Sequence, residues 1–260
     1  MPTMIAPPSP MKVDHPTKPK ELGVLFFKIS QGVFSYSLTR PNKSHILCLA
    51  EFGVYRVMKS IELFAGAGGL TLATANAGFD HVAVLEWDRN ACNTIRRNLA
   101  AGVARVHDCR IVEGDVAKYD FRQHAGSVDF ISGGPPCQPF SIGGKHGGME
   151  DQRNMFPHAV RAIREIAPKG FLIENVKGLL RKSFANYYAY TIHQFMYPEI
   201  IRKCHEKWTD HHARLERVVT NGRHKGLKYN VVYKVLNAAD YGVPQRQCVG
   251  QSAEPDASSV

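Results

Sequence analysis

Ile61-Glu62-Leu63-Phe64-Ala65-Gly66-Ala67-Gly68-Gly69-Leu70 decides the fold of this chain. Ile61 to Phe64 is a short apolar run of strand type, Ala65 to Gly69 is a turn of small residues, and a helical pattern continues to Ala77. Strand, glycine turn and helix in that order form the opening unit of a nucleotide-binding α/β sheet. The glycines let a ligand approach the backbone, and the helix N-terminus faces it. Working outward, the alternation recurs. His81–Leu85 reads as a strand, Arg89–Leu99 as a helix N-capped by Asp88, and Arg110–Glu113 and Val128–Ile131 as strands. An amphipathic helix falls within Asp151–Ile166, and Phe171–Ile173 is another buried strand. The fold class is therefore α/β, a Rossmann-like sheet with helices on both faces.

The strand ends carry the candidate site. Counted from Gly66, the third glycine of a dinucleotide fingerprint falls on Thr71, which argues against NAD or FAD. The order Phe64-x-Gly66-x-Gly68-Gly69 instead resembles an S-adenosylmethionine loop. Glu86, at the end of the second strand and twenty residues after Gly66, is placed to accept hydrogen bonds from ribose hydroxyls. Trp87 offers a flat face to an adenine ring. Asp115, closing the third strand, is placed to accept from the adenine amino group. Each also has a plainer reading: a solvated strand end for Glu86, core packing for Trp87, an ordinary turn aspartate for Asp115.

After the strand Val128–Ile131 the chain reads Gly133-Gly134-Pro135-Pro136-Cys137-Gln138-Pro139-Phe140-Ser141. Glycines permit close approach, prolines stiffen the loop, and a thiol stands at its tip. A lone cysteine is more often a packed small hydrophobe. Here the order Glu86-Trp87, Gly114-Asp115, Pro135-Pro136-Cys137, then Glu174-Asn175-Val176, resembles the DNA cytosine-5 methyltransferases of restriction-modification systems block by block. Asn237 to Arg246 is again close to that family, so the resemblance covers about Met58 to Arg246. It then breaks: the family continues Gln-x-Arg-x-Arg, whereas this chain has Gln245, Gln247 and Val249.

The resemblance implies an S-adenosylmethionine-dependent methyltransferase sheet, C-terminally incomplete, truncated before the target-recognition domain. It assigns catalysis to Cys137 and Glu174, and cofactor binding to Phe64, Ala65, Gly66, Gly68, Gly69, Glu86, Trp87, Asp115, Val116 and Pro136. Cys137 would attack C6 of a flipped-out cytosine, with Glu174 on N3 and the exocyclic amine. The loop Ile142–Gly148 would close over the nucleic acid. Alternatives stay open: an inactive remnant, one subunit of a split enzyme whose second polypeptide supplies the recognition domain, or a tRNA cytosine-5 methyltransferase.

Composition agrees with a nucleic-acid partner. The formal charge is +10, and Val176–Lys234 holds twelve Lys/Arg against four Asp/Glu, so +8 of it falls there. Six cysteines form no CxxC pair and no His/Cys metal spacing, and Leu22–Ile29 is too short and too interrupted by Lys28 for a secretory core. These point to a reducing cytoplasm, no metal and no membrane span. Three divisions are expected: an N-terminal extension over 1–57, proline-rich at first and lying upstream of a natural translation start at Met58, a catalytic domain over 58–246, and a divergent tail over 247–260 without strand signal. His45–Val57 has short-strand character. Ser183–Thr220 reads as mostly helical, interrupted at Pro198, its tyrosines packing rather than stacking on bases. Asn230–Leu236 alternates as a strand.

Overall fold

The computed structural model describes residues 47–49, 55–102, 109–136, 154–242 and 248–251. β1 (Leu47–Leu49) and β2 (Tyr55–Val57) pair antiparallel, with Leu47 opposite Val57, as a separate two-stranded ribbon. The main sheet begins with β3 (Lys59–Leu63), followed by α1 (Gly69–Asn76), β4 (Asp80–Glu86), α2 (Arg89–Ala100) and β5 (Arg110–Glu113). Then come β6 (Phe130–Gly133), α3 (Phe156–Ile166), β7 (Gly170–Val176), α4 (Ala185–Met196), α5 (Trp208–Asn221), β8 (Lys234–Asn237) and β9 (Cys248–Gln251). The strand order is β5-β4-β3-β6-β7-β9-β8, with the first five mutually parallel and β9 antiparallel to both its neighbours.

Helices cover both faces, as the sequence implies. Ile61, Leu63, Ala83, Leu85 and Ile131 pack with α3 and α4, whereas Val84 packs with Ile95 of α2 on the other side. The register of β3 on β4 slips at Val82: Ser60 faces His81, but Ile61 faces Ala83. This bulge turns His81 onto the face of Ser60. There its ring bonds Ser60 Oγ at 2.9 Å and Thr74 Oγ1 of α1 at 2.8 Å. Burial holds this imidazole below its ordinary pKa. A charge-neutral polar contact thus locks α1 to the sheet directly behind the glycine turn.

Asp88 caps α2 through Ala91 N–H at 2.7 Å, as its position predicts. Tyr187, Tyr190, Phe195 and Tyr197 are buried in the core, so the aromatic stripe is packing. Two expectations need correction. Asn230–Leu236 is a strand only from Lys234, because Tyr229 and Val231 anchor by side-chain packing while residues 230–233 join no ladder. Cys248–Gln251, read as lacking strand signal, is β9, with Gln251 opposite Glu174 and Val249 opposite Val176. Its formation follows from the unpaired backbone of β7 and β8, which needs a partner whatever the side chains. Among the described residues no helix is long and apolar enough to cross a membrane.

Candidate active site

The five parallel strands deliver their carboxyl ends to one edge of the sheet, and the described parts of the blocks at Phe64–Gly69, Glu86–Trp87, Gly114–Asp115, Gly133–Pro136 and Glu174–Val176 follow or end those strands. The order reverses between β3 and β6, which are neighbours with Leu63 opposite Gly133. In an open α/β sheet the crevice beyond such a reversal is where both flanking loops reach a ligand.

Beyond β3, Phe64 has φ 56°, a left-handed conformation that a bulky residue rarely adopts, and Gly66 and Gly68 follow at φ 55° and 89°. Gly68 caps α1 in this conformation, and a Cβ there would meet Ile95 Cγ1 at 3.2 Å. At Gly66 and Gly69 nothing lies within 4 Å of an added Cβ, so the loop backbone faces open space.

Glu86 is buried and acts as a clamp on this loop. Its Oε2 accepts from Gly66 N–H at 2.7 Å, and Oε1 accepts from Trp87 N–H at 2.9 Å and Asp88 N–H at 2.8 Å. A carboxylate has about four acceptor positions, so one on Oε2 remains. The neighbouring Trp87 is 79% exposed, which excludes the core-packing reading. Gly114 N–H donates to the Glu86 carbonyl at 2.8 Å and brings the β5 end alongside. Asp115 Oδ1 accepts from Ala117 N–H at 2.9 Å, capping a short 3-10 turn in which Val116 is buried. Phe64, Ala65, Gly66, Gly68, Gly69, Glu86, Trp87, Asp115 and Val116 therefore form one cluster.

A second cluster lies at the ends of β6 and β7. Gly133 is needed where it stands, since a Cβ would lie 2.9 Å from the Leu63 carbonyl oxygen. At Gly134 an added Cβ would lie 3.2 Å from Glu174 Oε2, so the carboxyl rests against the loop backbone. Burial raises the Glu174 pKa. Asn175, also buried, donates from Nδ2 to the Pro135 carbonyl at 2.9 Å and accepts at Oδ1 from Val176 N–H at 2.9 Å. Pro135 is buried and Pro136 exposed. Cys137 and the loop Ile142–Gly148 lie outside the described residues.

Two supporting roles were not read from the sequence. Arg161 of α3 donates to the Val116 carbonyl at 2.8 Å, the Ala117 carbonyl at 3.2 Å and the Tyr119 carbonyl at 3.0 Å, fixing the turn after Asp115. No local signal announces this, because its partners are more than forty residues away. Asn175 was legible only as the neighbour of Glu174. Its grip on Pro135 sets where the loop toward Cys137 departs.

Residues 58–197 match the family described as C-5 cytosine-specific DNA methylase. The chain is 37% identical over 186 residues to Type II methyltransferase M.NgoMIV of Neisseria gonorrhoeae, a match covering 72% of this chain and 48% of that protein. It is 34% identical over 201 residues to Type II methyltransferase M.AquIA of Picosynechococcus sp., covering 72% of this chain and 67% of that protein. It thus spans about half to two thirds of the length of these curated relatives. A crystal structure assigned to a DNA modification methyltransferase encoded within an E. coli prophage superposes with a TM-score of 0.51 at 26% identity, covering 75% of this chain and 45% of that one. The family match extends over more than half the sequence and takes in the strand-end blocks from the glycine turn to Glu174, and on that basis the chain belongs to the C-5 cytosine-specific DNA methylases.

Proposed function

We propose that this chain transfers a methyl group from S-adenosylmethionine to C5 of cytosine in DNA through a covalent Cys137–C6 adduct, as the modification enzyme of a bacterial restriction-modification system. The observation that carries the reading is that the Glu174 carboxyl occupies the space beside Gly134 where a side chain would begin, three residues before Cys137 in a loop pinned by Asn175.

The groups beyond β3, β4 and β5 suit S-adenosylmethionine in kind. Gly66 and Gly69 open their backbone to it, Trp87 presents an exposed ring, and Glu86 and Asp115 each keep unused acceptor positions. Phe64, Ala65, Gly68, Val116 and Pro136 would complete the contact. When bound, S-adenosylmethionine supplies an electrophilic methyl group on its sulfonium, which the activated C5 takes.

The protein's own task is to make C5 nucleophilic. Cys137 thiolate attacks C6, and the displaced electron pair moves through the ring toward N3. A protonated Glu174 donates to N3 and offsets that charge, while its other oxygen accepts from the exocyclic amine. Burial raises the Glu174 pKa, which favours this proton-bearing form. A water or hydroxide base then takes the C5 proton. The C–H electron pair re-forms the C5–C6 double bond as the C6–S bond breaks, Cys137 leaves as thiolate, and N3 returns its proton to Glu174. Free cysteine has a pKa of about 8.5, so local positive charge or hydrogen bonding must supply the thiolate. In a duplex the base must first be flipped out of the stack. The exposed Arg181, Lys182, Arg202, Lys203, Arg223 and Lys225 lie in the basic stretch and suit a phosphate backbone.

Incorporation of radiolabelled methyl from S-adenosylmethionine into DNA, with digestion to nucleosides, tests this. The expected product is 5-methylcytosine, lost in Cys137→Ser and reduced in Glu174→Gln. No incorporation by the wild-type chain beside an active control would overturn the reading, as would an undiminished Cys137→Ser rate.

A further inference from the structure

We infer that α4 and α5 hold a divalent transition-metal ion of the zinc class between His193, His212 and Glu216, away from the strand-end site. His212 and Glu216 are one turn apart on α5 and so share a face, and His193 meets them from α4. One ligating atom from each lies within 4.8 Å of the others. His212 Nε2 and Glu216 Oε1 are 3.6 Å apart, and the two imidazole rings have centroids 5.2 Å apart. Tetrahedral ligation at about 2.0–2.2 Å places ligand atoms roughly 3.3–3.5 Å from one another. The His212–Glu216 pair is already near that spacing, and small side-chain rotations bring His193 in.

A second observation points to a ligand. His193 Nδ1 and His212 Nε2 are shielded from solvent and make no hydrogen bond. Native structures rarely leave such atoms without a partner. The adjacent His211 shows the contrast: its Nδ1 pairs with the Tyr190 hydroxyl at 2.8 Å and its Nε2 with the Ile200 carbonyl at 2.8 Å. Packing uses that ring completely and leaves its neighbour's nitrogen free.

The donor set selects the ion. Two imidazoles and one carboxylate suit zinc, cobalt or nickel, whereas calcium and magnesium take oxygen ligands. Trp208 and Tyr190 wall the site, with ring centroids 6.3 Å and 5.6 Å from His212. Glu216 is exposed, so the fourth position opens to water. An ion here would staple α4, which begins shortly after the Glu174 strand end, to α5. Nothing in local spacing reveals the set, because His193 is nineteen residues from His212 and only the helix pair unites them.

The test is cobalt titration of the chelator-treated full chain, followed by visible absorption, zinc competition and thermal melting. The expected result is one Co2+ per chain with d–d bands and no thiolate charge-transfer band, displaced by Zn2+, which also raises the melting temperature by several degrees. His193→Gln and Glu216→Gln should each weaken binding by about tenfold or more. Glu216 is on the rim, so Glu216→Gln should melt like the wild type without metal and remain informative if His193→Gln folds poorly. No saturable band, a thiolate band, or affinity unchanged in Glu216→Gln would overturn the inference.

Discussion

Replacing Glu86 by Gln tests whether that carboxylate holds the glycine turn. Three backbone N–H groups, those of Gly66, Trp87 and Asp88, converge on it at 2.7, 2.9 and 2.8 Å. Gln keeps one carbonyl for Trp87 and Asp88 but turns an NH2 group toward Gly66 N–H. One charge-assisted bond is lost and two become neutral. Bonds to charged groups contribute about 1.5–3 kcal/mol and neutral ones about 0.5–1.5 kcal/mol. Allowing for the relief of a buried charge and for non-additivity, the net cost is about 2–4 kcal/mol. For a chain of this size that is a fall of roughly 4–16 °C in melting temperature. Urea unfolding followed by circular dichroism, without cofactor, reads it as a lower midpoint at unchanged slope. S-adenosylmethionine affinity, measured by calorimetry on the folded variant, should fall as well. A stability change under about 0.5 kcal/mol would refute the clamp, and if affinity alone fell, the carboxylate would be acting on the ligand directly.

Trp87→Ala should leave the urea midpoint unchanged, because the indole is 79% exposed, and weaken S-adenosylmethionine binding about three- to tenfold by loss of stacking; equal affinities would remove Trp87 from the site. Asn175→Ala should cost about 1–3 kcal/mol in stability, because the Pro135 carbonyl loses its partner, and lower the methyl-transfer rate with little change in S-adenosylmethionine affinity. An unaltered rate would mean that loop position is set elsewhere. Glu62 is buried with Oε2 unbonded, and burial raises its pKa to about 8 from 4.5. The folded state therefore holds this proton more tightly than the unfolded chain, so stability falls as pH rises from about 4.5 to about 8 and then levels. Glu62→Gln should remove up to about 1.4 kcal/mol per pH unit from that slope, and identical pH profiles for both proteins would contradict it.

The parallel sheet was legible because its strands are near-continuous apolar runs punctuated by glycine or by a capping aspartate. Ile61–Phe64 with its glycine turn and His81–Leu85 with Asp88 are examples. The strand-end residues were legible for the same reason: in such a sheet the last residue of each strand reaches the shared edge. What escaped depends on contacts distant in sequence. The Val82 bulge, which decides where His81 points, has no signature in an apolar run. Cys248–Gln251 has weak propensity and becomes a strand through pairing with β7 and β8. Arg161 and the His193–His212–Glu216 set emerge only when helices dock.

The most direct test of the account is covalent trapping. The purified chain is incubated with S-adenosylmethionine and DNA containing 5-fluorocytosine, in which fluorine at C5 blocks the final elimination. The account expects a denaturation-resistant protein–DNA complex that requires S-adenosylmethionine and is absent from Cys137→Ser. No complex beside a control enzyme that traps normally, or a complex that survives in Cys137→Ser, would contradict it.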